Sequence, residues 1–138
     1  MANLEAIYIE KLRNSGLRPT KQRIKICEVL FDREKTFHFS INDLLKIIKT
    51  KISEKISVAT VYNTVHAFHK KGYLKEISVG NDISYFDTNT HSHHHFYDQQ
   101  TKELVDINSN DIEIKKTPTP PKGKKIMDIE VTIKISKE

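Results

Sequence analysis

The chain is poor in the residues that staple or break structure: one cysteine, no tryptophan, four glycines and four prolines among 138 residues. A single cysteine excludes an internal disulfide and a Cys₄ zinc site, and it suits a reducing, cytoplasmic setting. No apolar run approaches ~18 residues, so no membrane span and no membrane partner is expected. The opening stretch MANLEAIYIEKLRNSG lacks a basic region followed by an apolar one, so no secretory signal is expected. The sequence has no phosphate-binding glycine loop, no HExxH and no positioned nucleophile, and an enzyme is not expected. What remains, 37% apolar and 30% charged, is enough for one domain or two small ones.

The net charge of +5 is unevenly spread. Residues 1–76 hold 15 Lys/Arg against 8 Asp/Glu, whereas residues 77–138 hold 8 against 10. A basic half joined to a mildly acidic one suggests a polyanion-binding module beside something else. Charge alone leaves a merely solvated basic surface open.

Apolar spacing predicts a helix over 4–12 that stops near Gly16, and a second that starts at Pro19 with Ile24, Cys27 and Phe31 on one stripe. Cys27 on that stripe reads as core rather than as a ligand. Ser40 and Asp43 form a capping-box pair for a third helix. Ser57 caps a fourth, Val58 to about Lys71, ending before Gly72. On the fourth helix Val61, Val65 and Phe68 face the core. Its exposed start offers Ala59, Thr60, Tyr62 and Asn63, groups suited to base edges and thymine methyls in a major groove. Ser57 stands at its head, and Arg18, Lys21 and Arg23 supply phosphate contacts. Two strands, 73–79 and 83–87, follow around a Gly80-Asn81-Asp82 turn. Helices then a hairpin predict a winged helix-turn-helix.

Four of the seven histidines lie within residues 91–95. In an extended segment Asp87, His91, His93 and His95 share one parity and His94 has the other. If Asp98 to Glu103 closes a hairpin with the strand 103–107, His95 falls opposite Asp106. Two imidazoles and a carboxylate suit Fe(II), Mn(II) or Zn(II); a bare imidazole also suits haem iron. Beyond a helical turn at 111–114 and a proline-rich connector at 115–123, residues 126–135 alternate as a strand. So small a sheet cannot bury both faces, and a homodimer is expected.

Leu17-Arg18-Pro19-Thr20-Lys21-Gln22-Arg23, Ala59-Thr60-Val61-Tyr62 and the His-x-His cluster, in that order, resemble the ferric uptake regulator family. The resemblance spans nearly the whole chain. It implies an α+β protein: a winged-helix DNA-binding domain over 1–87, a hinge near 86–91, and a small α/β dimerisation domain over 92–138. Asn63 replaces the usual arginine, and Asp98 and Thr101 stand where a CxxC pair would fall. This combination is similar to the haem-responsive iron response regulator (Irr) branch.

That likeness implies a hinge metal site of His38, Asp87, His93, His95 and Asp106. It also implies a second metal or haem site including His94 and Glu113, whose C-terminal histidine is replaced near Ile129. Cys27 precedes Glu28, so no Cys-Pro haem motif is assigned. The implied function is an iron- and haem-responsive transcription regulator. It would bind A/T-rich inverted repeats under iron limitation and be released by haem. Rivals are a metal-activated repressor of the same family, a metalloenzyme, and a storage module without DNA binding.

Overall fold

The computed structural model describes residues 3–80 and 82–138. The chain divides between Thr90 and His91 into two compact units.

The first unit opens with α1 (Leu4–Asn14) and α2 (Lys21–Phe31). Thr20, not Pro19, heads α2, because its side chain accepts the Arg23 N–H at 3.3 Å. The strand β1 (His38–Ser40) runs directly into α3 (Ile41–Lys51). The predicted capping box at that junction is present: Asp43 N–H donates to Ser40 Oγ and Ser40 N–H to Asp43 Oδ2, each at 3.1 Å. Next comes α4 (Val58–Lys71), capped by Ser57 and stopped by Gly72 at φ 97°, a left-handed conformation that glycine adopts without strain.

Two strands, β2 (Lys75–Ser78) and β3 (Ser84–Asp87), complete the unit. They are shorter than the sequence pattern predicts, and Asn81 of the predicted turn lies outside the described residues. β3 is central, antiparallel to both β2 and β1. β1 was not expected, since three residues carry no readable period. Pairing with β3 creates it, and Phe39 anchors it in the core. That core is built from Tyr8, Leu12, Cys27, Leu30, Leu44, Val61, Val65, Phe68 and Phe86, among others. It holds α4 by one face only.

The second unit is a three-stranded sheet in the order β5, β4, β6: β4 (His94–Asp98), β5 (Leu104–Ile107) and β6 (Thr132–Ile135). β5 is antiparallel and β6 parallel to β4. The extended stretch expected from Asp87 onward enters the ladder only at His94. The strand expected over 126–135 is confined to four residues, Thr132–Ile135, which pair with His95–Asp98 of β4. The expected turn at 111–114 forms earlier, as one 3-10 turn over Ser109–Asp111, where Asn108 Oδ1 accepts the Asn110 N–H at 3.0 Å. Among the described residues this turn is the unit's whole helical content. No described helix is long and apolar enough to cross a membrane.

Candidate metal centre and nucleic-acid interface

The β4–β5 ladder has the register implied by the spacing of acids and histidines. His95 pairs with Asp106 and His94 with Ile107, and Asp98 N–H donates to Glu103 O at 2.9 Å. Opposed residues project to the same side of an antiparallel pair. His95, 3% exposed, therefore shares a face with the half-exposed Asp106. His95 Nε2 lies 3.1 Å and His93 Nε2 3.6 Å from Asp106 Oδ1, with the imidazole centroids 4.3 Å apart.

Metal–ligand bonds of about 2.0–2.2 Å at tetrahedral or octahedral angles separate neighbouring ligand atoms by roughly 2.8–3.6 Å. The two nitrogen–oxygen separations fall in that window, and the donor set of imidazole and carboxylate suits Mn(II), Fe(II) or Zn(II).

The ring orientation of His93 is fixed from behind. Its Nδ1 lies 2.6 Å from the His91 carbonyl, which can only accept, so Nδ1 carries the proton. In the neutral ring the lone pair then lies on Nε2, the atom 3.6 Å from Asp106 Oδ1. His94 is wired the opposite way. Its Nδ1 accepts the Val131 N–H at 2.9 Å, so the proton of its neutral ring sits on Nε2. Ligation of iron through His94 Nε2 requires that proton to leave. Glu113 is exposed beyond the 3-10 turn, and no described cluster of three or more ligand-type side chains includes it or His94. His91 contributes its carbonyl to the site.

In the first unit, His38 and Asp87 are direct partners on β1 and β3. Asp87 is 1% exposed and accepts the Asn89 N–H at 2.8 Å. Beyond this rung, Phe37 and Thr88 exchange two further bonds, Phe37 N–H to Thr88 Oγ1 at 2.9 Å and Thr88 N–H to Phe37 O at 3.0 Å. The sequence places these residues in a ligand set only through family resemblance; their strand pairing is tertiary.

The exposed face of α4 begins with Val58, Ala59, Tyr62 and Asn63. Ser57 Oγ accepts the Thr60 N–H at 3.1 Å and lies 2.8 Å from Thr60 Oγ1, so both hydroxyls serve the cap. Val58, which the sequence reading passes over, is the more exposed apolar group, at 61%. Tyr62 packs on His66, with centroids 4.1 Å apart, and His66 in turn meets Phe86 edge-on at 5.7 Å.

Arg18 and Lys21 are exposed. Arg23 is less available than its sequence position suggests, because its Nη1 donates to Arg18 O at 3.0 Å. Gln22 Nε2 reaches Lys55 O at 3.3 Å, which brings the basic start of α2 beside the segment leading into α4. Nearby Lys25 pairs with Glu54, holding that exposed carboxyl below its ordinary range.

A helical module with a β-hairpin, followed by a small sheet bearing clustered imidazoles and carboxylate, defines the class: a winged-helix protein with a metal-competent second unit. A family model described as "Ferric uptake regulator family" matches residues 14–134. The chain belongs to the ferric uptake regulator family, whose members are transcription regulators.

It is 34% identical over 99 residues to the peroxide-responsive repressor PerR of Staphylococcus epidermidis, a match covering 72% of this chain and 64% of that protein. The chain thus spans just under two thirds of the curated relatives it matches. Among solved structures, the ferric uptake regulator of Pseudomonas aeruginosa with manganese superposes with a TM-score of 0.68 at 22% identity, covering 96% of this chain and 98% of that one. The Francisella tularensis regulator with iron gives 0.70 at 20% identity, covering 89% and 93%. These likenesses establish the fold.

Proposed function

We propose that this protein is a dimeric transcription regulator that reads double-stranded DNA through α4 and adjusts its grip in response to a divalent cation. The observation that carries the reading is the triad of His93, His95 and Asp106, spaced as ligands are spaced, with the His93 tautomer set to present Nε2. His38 and Asp87 are the donors the first unit would add. They lie opposite each other at the end of the β1–β3 ladder, close in the chain to the boundary at Thr90. The family resemblance implies that cation binding changes the placing of two recognition helices on an inverted repeat. Fe(II), Mn(II) and Zn(II) all suit the donors.

The partner in the dimer is a second copy. Phe96, Val105 and Ile133 align across one face of the second sheet, and Val105, Ile133 and Ile135 are exposed. A small sheet with such a face gains by covering it.

A second reading is the Irr-like one, with binding under iron limitation and release by haem. The lack of cysteine pairs and the run of three histidines favour it; the His94 tautomer weighs against His94 as its iron ligand.

Band-shift assays on duplexes selected from a randomised pool separate the two. The cation reading expects Mn(II) after chelation to change affinity at least tenfold, and His95→Ala and Asp106→Ala to abolish that response. Indifference to Mn(II) together with loss of binding on haem addition would establish the haem reading instead.

A further inference from the structure

Outside the sites described, charge of one sign is most concentrated in residues 115–125, KKTPTPPKGKK. Five of the eight basic residues of the second unit fall there and no acid does, so the remaining three stand against eight acids. The second unit is an acidic body carrying one basic tract. Lys115, Lys116, Lys122, Lys124 and Lys125 are all exposed. Among the described residues none of the five makes an ion pair.

The tract joins no strand. Pro118, Pro120 and Pro121 bar a helix and stiffen an extended course. The chain then turns tightly: Lys124 N–H donates to Pro121 O at 2.9 Å, and Gly123 at φ 78° takes the position that favours glycine. The turn gathers three lysines at one tip, with the other two across the proline run.

We propose that this tract is an auxiliary DNA arm whose lysines contact backbone phosphates beside the operator. The grip is independent of sequence, sensitive to salt and separate from base readout by α4. The proposal rests on the DNA-binding reading above. Acids could neutralise the tract within the chain, yet among the described residues none pairs with it, while phosphates match both its charge and its spread. Extended chain at ~3.1 Å per residue gives the run before the turn, residues 115–121, roughly 20 Å, over half of one turn of duplex at ~34 Å. Once α4 is seated, these weak contacts form within one complex and gain from tethering.

The test is the dependence of full-length protein–DNA affinity on salt. Each phosphate contact contributes about 0.9 to the slope of log K against log salt concentration. Replacing all five lysines by glutamine (Lys115→Gln through Lys125→Gln) is expected to flatten the slope by at least about two per chain. Affinity for operator and for unrelated duplex should fall by the same factor, and the five Lys→Arg replacements should restore the slope. A smaller flattening overturns the arm while leaving the DNA reading intact. So does loss of binding to phosphatidylglycerol vesicles with an unchanged DNA slope, which would make the tract a lipid contact. If the unaltered protein binds no duplex, both readings fall together. An unchanged thermal melt of the glutamine variant excludes unfolding as the cause.

Discussion

His93 and His94 are neighbours with opposite ring chemistry, and backbone partners alone make the difference. A carbonyl behind His93 Nδ1 places the lone pair of the neutral ring on Nε2, whereas an N–H in front of His94 Nδ1 places the proton on Nε2. His66 has a quieter part: it fills the space between Tyr62 and Phe86. His66→Ala should lower operator affinity several-fold without changing the cation response, and His66→Phe should retain most of it, as read by band shift. Cys27 is fully buried, and desolvation pushes its thiol up to about 12. It should react with a thiol reagent only after denaturant is added; labelling of the native protein at the rate of free cysteine would contradict its place in the core.

At the scale of elements, caps and turns set where helices and strands begin. Ser40 and Asp43 satisfy each other's backbone donors where β1 passes into α3. Ser40→Ala should cost about 1 kcal/mol, seen as a lower urea midpoint at unchanged m. Gly72→Ala should destabilise by roughly 1–2 kcal/mol, since nothing crowds its Cβ but its φ of 97° disfavours any side chain.

The turn from β4 to β5 depends on Asp98, whose carboxylate accepts the Gln100 and Thr101 N–H groups at 2.9 and 3.2 Å. Those bonds hold its carboxyl below the ordinary 3.8. The contribution is therefore fully present above pH 3.8 and is lost as the pH falls through the lower folded value. Amide resonances of Gln100 and Thr101 should shift in that acid range in the native protein and stay still in Asp98→Asn.

For the whole molecule, the exposed apolar row on the second sheet leads to a prediction of oligomeric state. Sedimentation should give a dimer, and Ile133→Lys combined with Ile135→Lys should give a monomer with at least tenfold weaker operator binding. A double variant that remains dimeric would move the interface elsewhere.

Much of this was legible in the chain itself. Apolar periods of 3.6 and hydroxyl caps are local signals, so α1, α3 and α4 lie close to where their residues place them. The pairing of His95 with Asp106 was legible for a similar reason: a short hairpin leaves few registers, and period two does the rest. Other features depend on remote partners. Three residues became β1 only because β3 lies beside them, which set His38 against Asp87 across about fifty positions of chain. β6 is shorter than its alternating pattern, since only Thr132–Ile135 pair with β4. The sequence by itself determined which residues could bind a cation or a base, since that is side-chain chemistry. Tertiary structure decided which imidazole nitrogen of His93 and of His94 carries the proton and which hydroxyls are spent on caps, since backbone donors and acceptors take up one side of a polar group.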